Sequence, residues 1–310
     1  MLRKIFLLIC CLCFALPEMA GAEWITGGGW RQDTVFHSGM PRNFRLCTDA
    51  FPETEEELPS REGLDTLMVS ASAQPSGGEL VPLFNKLQEM SAGAAVYIVD
   101  LRGESHGFVN NRAVSWFIEH NRANIGKSQA QILAEEKATL SVLPETTITA
   151  LPYGKTDTKL FAAYTGRVIS VSTEQEAAEK AGFSYRRFTV MDDEWPQADR
   201  VDAFLDFVRS LKGQRAWLHF HCHAGHGRTT TFLMIYDILR NPKVALEDIA
   251  LRHRLQGGSD ILTGSEKATV KAGLINNRAA KMRLFYEFAG ETDPLVSGAS
   301  WSEWLTAWGE

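Results

Sequence analysis

Trp217-Leu218-His219-Phe220-His221-Cys222-His223-Ala224-Gly225-His226-Gly227-Arg228-Thr229 reads as a buried strand that runs into a glycine-containing turn and then a helix. One cysteine opens the turn and an arginine follows six residues later. A phosphate at a helix N-terminus meets free backbone N–H groups and the positive end of the helix dipole. Gly225 and Gly227 let the chain curl so that successive N–H groups face inward and form an anion nest. Arg228 adds a planar fork matched to two phosphate oxygens. The same positive field favours a thiolate at Cys222, and Thr229 is placed to donate its hydroxyl to the departing sulfur. The stretch predicts a strand–turn–helix that holds phosphate against a nucleophile.

Moving outward, Val201, Phe204, Leu205, Val208 and Leu211 recur at helical spacing before Gly213, which predicts an amphipathic helix with a glycine stop. Residues 96–101 are short, mostly apolar and rich in β-formers, as in a buried parallel strand. Helical patterns also cover 127–140, 227–240 and 265–288. Between 146 and 172 the chain turns β-rich, with strands expected at 146–149, 160–164 and 168–171 separated by Gly154 and Gly166. The expected architecture is one α/β domain with a mostly parallel central sheet flanked by helices, plus a small β-rich insert near 144–174.

The chain has 310 residues, 45% hydrophobic and 23% charged, enough to bury a full core. Residues 1–22 do not belong to that core. Arg3 and Lys4 precede an apolar run over 5–16, and Ala20-Gly21-Ala22 closes it with small residues. That is the pattern of a secretory signal peptide cut before Glu23. The run is shorter than the roughly 20 residues of a spanning helix, so the exported chain is expected to keep no membrane anchor. Three of the five cysteines fall in the leader, leaving Cys47 and Cys222 and no disulfide framework. The leader holds two of the 32 basic and one of the 38 acidic residues, so the remainder carries a net charge of −7. Such acidity argues against nucleic acid or an anionic membrane as the main partner. An anionic small substrate would need a locally basic pocket.

A phosphate ester also needs a proton for its leaving oxygen. Met191-Asp192-Asp193-Glu194-Trp195-Pro196 offers carboxylates on a loop that Pro196 stiffens and Trp195 can anchor. Acidic residues are favoured at helix N-termini on their own account, so the local sequence leaves both readings open. His219, His221, Cys222, His223 and His226 also raise a metal site, since zinc is held by such sets. Against it, Arg228 would set a fixed positive charge beside a dication, and His219 and His221 lie in an apolar strand where a hydrogen-bonded core histidine suffices. The thiolate chemistry requires no metal or organic cofactor. A histidine-rich metal-binding protein is the rival reading from another class.

These motifs resemble the protein tyrosine phosphatase superfamily, whose signature H-C-x5-R-[S/T] stands here as His221-Cys222 followed by Arg228-Thr229. More narrowly, the chain resembles the bacterial protein-tyrosine-phosphatase-like phytases, which dephosphorylate myo-inositol hexakisphosphate. Val99-Asp100-Leu101-Arg102-Gly103-Glu104-Ser105-His106-Gly107, Ala113-Val114-Ser115-Trp116, Ala123-Asn124-Ile125-Gly126-Lys127-Ser128, residues 192–196 and residues 217–230 carry that resemblance. It implies an inositol polyphosphate phosphatase that works through a phosphocysteine on Cys222, with Arg228 and the loop amides on the phosphoryl oxygens. It implies Asp192 as general acid, because the family places its acid three residues before Trp-Pro. Tyrosine phosphatases place it just after, where this chain has Gln197.

The loop residues His223, Ala224, Gly225, His226 and Gly227, with Asp193, make up the implied phosphate-binding set. Arg45 in Pro41-Arg42-Asn43-Phe44-Arg45, and Lys267 and Lys271, are the implied basic lining. The two lysines are four apart and so expected on one helical face. Asn121 departs from the pattern, since the family often has an acidic residue before Ala123-Asn124. His223 and His226 stand where phosphoinositide phosphatases of the superfamily carry lysines. Histidines titrate at about 6.5, so the pocket is expected to grow more cationic as pH falls, giving an acidic optimum. A tyrosine or dual-specificity protein phosphatase using the same residues is the alternative.

Overall fold

Alternation along one strand decides how the chain is layered. In residues 95–102, Val99 and Leu101 turn to one hydrophobic cluster while Val96 and Ile98 turn to another, so both faces are covered. The computed structural model describes residues 28–118 and 121–309, and the signal peptide expected over 1–22 lies outside them. In chain order the elements are β1 (Gly29–Gln32), β2 (Arg45–Leu46), β3 (Val69–Ser72), α1 (Leu80–Met90), β4 (Ala95–Arg102), β5 (His106–Val109), β6 (Arg112–Phe117) and α2 (Gln129–Ser141). There follow β7 (Thr147–Leu151), α3 (Gly154–Leu160), β8 (Tyr164–Arg167), β9 (Val171–Ser172), α4 (Glu174–Ala181), β10 (Ser184–Val190) and α5 (Ala198–Ser210). The last are β11 (Ala216–His221), α6 (Gly227–Arg240), α7 (Leu246–Leu255), α8 (Val270–Thr292), α9 (Pro294–Ser297) and α10 (Trp301–Trp308).

The central sheet has the order β10-β4-β11-β3-β2. Its first three neighbouring pairs are parallel and only β2 runs antiparallel to β3, so the expected α/β architecture holds. Helices α5, α6, α7, α8 and α10 bury one face around Phe204, Phe220, Phe232, Phe285 and Trp301. Helices α1 and α4 bury the other around Leu83, Leu87, Ile98 and Ala178. That second face changes character along the strands. Val96 and Ile98 give way to Asp100 and Arg102 on β4, and Trp217 to His219 and His221 on β11. The carboxyl ends of the parallel strands therefore carry charge inward, where the second sheet meets them.

That second sheet has the order β8-β7-β1-β6-β5-β9. The β-rich segment near 144–174 supplies β7, β8 and β9 to it, while β1, β5 and β6 come from elsewhere in the chain. The strand expected at 160–164 is not formed. Gly154, at φ +85°, turns the chain out of β7, and the polar run after it closes into α3, where the Thr158 hydroxyl donates back to the Gly154 carbonyl at 2.9 Å. The long C-terminal helix also starts later than its composition suggests. Thr269 caps it by accepting the Ala272 N–H at 3.1 Å, so residues 265–269 stay outside.

Candidate active site

The loop after β11 is held against the end of β3. Gly225 has φ +74°, and a Cβ there would lie 2.4 Å from the Ser72 carbonyl carbon and oxygen, so a side chain would push the loop off the sheet. Three loop carbonyls are drawn outward: His223 accepts the Gln74 N–H at 3.1 Å, Ala224 accepts Asn43 Nδ2 at 2.8 Å, and Gly225 accepts Arg45 NH2 at 2.7 Å. In a planar trans peptide the N–H points opposite the C=O. The next three N–H groups, of Ala224, Gly225 and His226, therefore face inward, toward the start of α6. Cys222 opens this nest, 4% exposed, and both it and Cys47 are free thiols. The buried Thr229 hydroxyl finds no partner among the described residues, which leaves it available to the sulfur.

Arg228 is aimed by a residue that motif reading did not single out. Its NH1 and NH2 donate to Glu104 at 2.6 and 3.1 Å, and NH1 also reaches the Val190 carbonyl at 3.1 Å. Glu104 is fully buried. Burial alone would raise its carboxyl, but Arg228 and Arg102 outweigh that and hold it well below the usual range. Arg102 links onward, with Nε on Glu104 at 2.9 Å and NH1 on Asp33 at 2.9 Å. Asp33 follows β1, so the second sheet takes part in fixing the guanidinium. The available signal was Asp100 and Arg102, charges on one face of an otherwise apolar strand, with Glu104 two residues further on.

Asp192 sits at the mouth of the loop with its side chain 40% exposed, 3.3 Å from Arg228 NH2. Asn121, the departure noted in the sequence, donates to Asp192 Oδ2 at 3.1 Å. Burial pushes the Asp192 carboxyl up, but Arg228 and this hydrogen bond outweigh it, leaving it lowered. Asp193 takes the left-handed conformation, φ 64°, and pairs with Lys271 at 2.8 Å. Trp195 anchors the loop between Phe285 and Trp301, with ring centroids 6.3 and 6.2 Å away.

Lys271 thus reaches the acid loop, whereas Lys267 is exposed before the helix begins, so the two do not share a helical face as expected. Helix α8 contributes Arg278 instead. Arg278 is 4% exposed, and its Nε and NH1 have no partner among the described residues. A Cβ on Gly227 would lie 2.8 Å from its NH1, which places the cation against the first turn of α6. Burial lowers its pKa, with the charges of Asp193, Asp192 and Cys222 acting the other way. Arg45 is buried too and lowered to about 10 by desolvation. It braces the loop carbonyl and feels the charge of Cys222 rather than lining an open surface.

The five clustered residues that raised a metal site do not converge. His219 lies between the hydroxyls of Ser70 and Ser72 at 2.9 and 3.0 Å, a satisfied core histidine. His221 turns to Glu174, Nε2 to Oε1 at 3.1 Å. His223 is held by Asp33 at 3.2 Å, Asp157 at 3.1 Å and Arg31 at 2.5 Å. His226 is exposed beside Asn43, and burial with the charges of Arg45 and Arg42 lowers its pKa. The gain of positive charge expected from His226 is therefore displaced toward lower pH. Asp100, Glu174 and His221 do place ligand atoms within 4.8 Å of one another. Yet Asp100 Oδ2 already accepts the Tyr185 hydroxyl at 2.7 Å and Arg187 Nε at 3.1 Å, with His106 Nε2 at 3.2 Å. Cationic side chains fill the place a metal ion would take.

Beside the nest lies an open cavity of about 590 Å³ lined by Arg31, Arg42, Tyr153, Asp157, His223 and His226, among others. Its far wall is α3 and the residue before it, so the β-rich segment helps shape the space next to Cys222.

A family model described as inositol hexakisphosphate, that of the protein-tyrosine-phosphatase-like phytases, matches residues 99–240. In sequence the chain is similar to effector protein hopD2 of Pseudomonas syringae pv. tomato, 26% identical over 247 residues that cover 78% of this chain and 52% of that one. In structure it is similar to the tandemly repeated protein tyrosine phosphatase-like phytase of Mitsuokella multacida, 35% identical with a TM-score of 0.84, covering 92% of this chain and 50% of that one. It is equally similar to a protein-tyrosine-phosphatase-like myo-inositol phosphatase of Mitsuokella multacida in complex with myo-inositol-(1,3,4,5)-tetrakisphosphate, 35% identical with a TM-score of 0.84. A protein-tyrosine-phosphatase-like phytase of Bdellovibrio bacteriovorus is 29% identical with a TM-score of 0.69, over 93% of this chain and 98% of that one. The chain spans about half the length of the first two relatives. A parallel sheet that delivers cysteine, anion nest and arginine to one helix N-terminus is the architecture of protein tyrosine phosphatase-like domains. Within that class, the chain resembles the protein-tyrosine-phosphatase-like phytases.

Proposed function

We propose that the protein is a phosphomonoesterase that removes phosphates from myo-inositol hexakisphosphate or related inositol polyphosphates through a phosphocysteine. The observation that carries this reading is the loop itself, in which three inward N–H groups and the Glu104-aimed fork of Arg228 meet at Cys222, with Asp192 3.3 Å from that fork. Cys222 sulfur attacks phosphorus, the P–O bond to the inositol carbon oxygen breaks, and Asp192 gives its proton to that oxygen. Arg228 and the loop amides take up charge on the equatorial phosphoryl oxygens. Asp192, now ionised, removes a proton from water as it attacks the phosphocysteine, and Thr229 donates a hydrogen bond to the leaving thiolate.

A multiply phosphorylated ring is favoured by the cations around the nest: Arg31 and Arg42 on the cavity wall and Arg278 beneath Gly227. Asp192 is held low in the empty site by Arg228. A bound phosphate takes over Arg228 and adds negative charge, which favours the protonated acid. Activity should therefore rise toward acidic pH. Initial rates on inositol hexakisphosphate and on phosphotyrosine peptides test the substrate. Faster turnover of the inositol ester is expected, and the reverse order would favour the tyrosine phosphatase reading. Arg3, Lys4 and the apolar run over 5–16 support export, and an N-terminus at Glu23 on protein recovered outside the cytoplasm is the expected result. Among the described residues no helix is long and apolar enough to cross a membrane.

A further inference from the structure

Helix α3 presents a carboxylate to the cations of the cavity beside the nest. Asp157 is 4% exposed and is the buried residue of α3 among those described. Its Oδ2 accepts Arg31 Nε at 3.1 Å and NH2 at 2.5 Å, and lies 3.1 Å from His223 Nε2. Burial opposes the charge on Asp157, but His223 and Arg31 outweigh it and hold the carboxyl low, so an anion stands there at neutral pH. The rest of the helix is lightly attached. It opens at Gly154, φ +85°, without a side chain capping its N-terminus, and Leu160 near its end is exposed. Before it, Tyr153 stacks on Phe117 with centroids 4.7 Å apart, and after it Phe161 lies 5.3 Å from the Arg42 guanidinium. Aromatic contacts therefore hold the two ends, and the Asp157 carboxylate ties down the middle.

Arg31 does not need that carboxylate to stay in place. Asp33, fully buried and 2.9 Å from Arg102, lies 3.5 Å from Arg31 Nε and 3.2 Å from His223 Nδ1. Asn121 accepts Arg31 NH1 at 3.2 Å. Arg31, Asp157 and His223 all line the open cavity, and His223 directly follows Cys222 in the loop. A guanidinium beside an anion nest is thus answered by an internal anion on a lightly held helix. We infer that Asp157 is a specificity-determining residue, standing on Arg31 where a second phosphate of the substrate binds, and that this phosphate displaces it together with α3. A phosphate carries more negative charge than a carboxylate and offers three oxygens to the planar fork, so it wins that exchange. An ester with a single phosphate leaves Asp157 where it is. The carboxylate therefore weakens binding of polyphosphorylated esters more than that of monophosphates. The role rests on the proposed reading of the nest as the site of the reacting phosphate, but not on which polyphosphate is turned over.

The test is hydrolysis of para-nitrophenyl phosphate, which has one phosphate, and its competitive inhibition by inorganic phosphate and by inositol hexakisphosphate. Wild type, Asp157→Asn and Asp157→Glu are compared. Asparagine keeps the side-chain shape and removes the charge, so the inhibition constant of phosphate divided by that of inositol hexakisphosphate should rise about tenfold. Asp157→Glu keeps the charge and should show none of that rise. A folded Asp157→Asn with an unchanged or smaller ratio overturns the assignment, since Asp157 would then organise the cations rather than compete for them. Should that variant not fold, hydrogen exchange on wild type decides. Faster exchange over residues 155–161 with inositol hexakisphosphate bound supports the displacement, and equal or slower exchange overturns it. A wild type that releases no phosphate from inositol hexakisphosphate, while Asp157→Asn still raises the ratio, refutes the substrate and supports this role.

Discussion

Replacing Arg278 with methionine is expected to make the empty protein more stable and the enzyme worse. Arg278 is nearly as buried as Arg102 and Arg228, but its situation is opposite. Those two are bound by Asp33 and Glu104, while Nε and NH1 of Arg278 find no partner among the described residues. Leaving a buried polar group unsatisfied costs about 1–3 kcal/mol, and methionine keeps much of the side-chain volume without that cost. Some attraction to Asp192 and Asp193 is lost, so the net gain is smaller than that, about 1 kcal/mol. In a chain of this size that is a rise of roughly 2–4 °C in Tm, read by thermal unfolding in buffer free of phosphate and sulfate. A charge-assisted hydrogen bond to a substrate phosphate is worth about 1.5–3 kcal/mol, so kcat/KM on inositol hexakisphosphate should fall roughly 10- to 150-fold. A variant that melts lower and keeps its kcat/KM refutes the reasoning, since Arg278 would then be a structural cation rather than one held ready for an anion.

Asp192→Asn removes the proton donor and keeps the side-chain shape, its single amide oxygen accepting from either Asn121 or Arg228 but not both, so kcat should drop about 10²- to 10⁴-fold. The dependence on pH at its alkaline side should vanish with it. His106 sets a stability profile. Burial opposes its charge, but Asp100 outweighs this and raises it to about 9, above the roughly 6.5 of an unfolded histidine. Its contribution is therefore fully present below about 6.5 and is lost as pH rises through 9. Urea midpoints should fall across that window, and His106→Asn should flatten the fall. His226 is lowered by burial and by Arg45 and Arg42, so any loss of rate in His226→Ala should be larger at low pH than near neutrality, as read from paired rate–pH profiles.

The strand, loop and helix around Cys222 were legible because each boundary has a local cause. An unbroken apolar strand needs no partner information, and Gly225 marks the one place where the backbone must cross β3 closely. Asp192 was legible through its spacing to Trp-Pro, and Trp195 does anchor that loop. The partners that aim these groups were not. Glu104, Glu174 and Asp157 look like ordinary acidic residues until the two sheets meet and bury them against Arg228, His221 and His223. Helical composition placed the start of the last long helix too early because a threonine cap outranks propensity there, and that error hid Arg278 behind the exposed Lys267. The β-rich segment was visible as strands, but its work lies in α3, a short element whose meaning depends on what it touches.

The central claim is that phosphate passes through the sulfur of Cys222. Phosphate release from inositol hexakisphosphate by Cys222→Ser tests it most directly, alongside a melting curve showing that the variant is folded. The hydroxyl keeps the shape of the loop and the binding cations but lacks a thiolate's nucleophilicity, so no release above background is expected. Continued turnover by the folded serine variant would contradict the account.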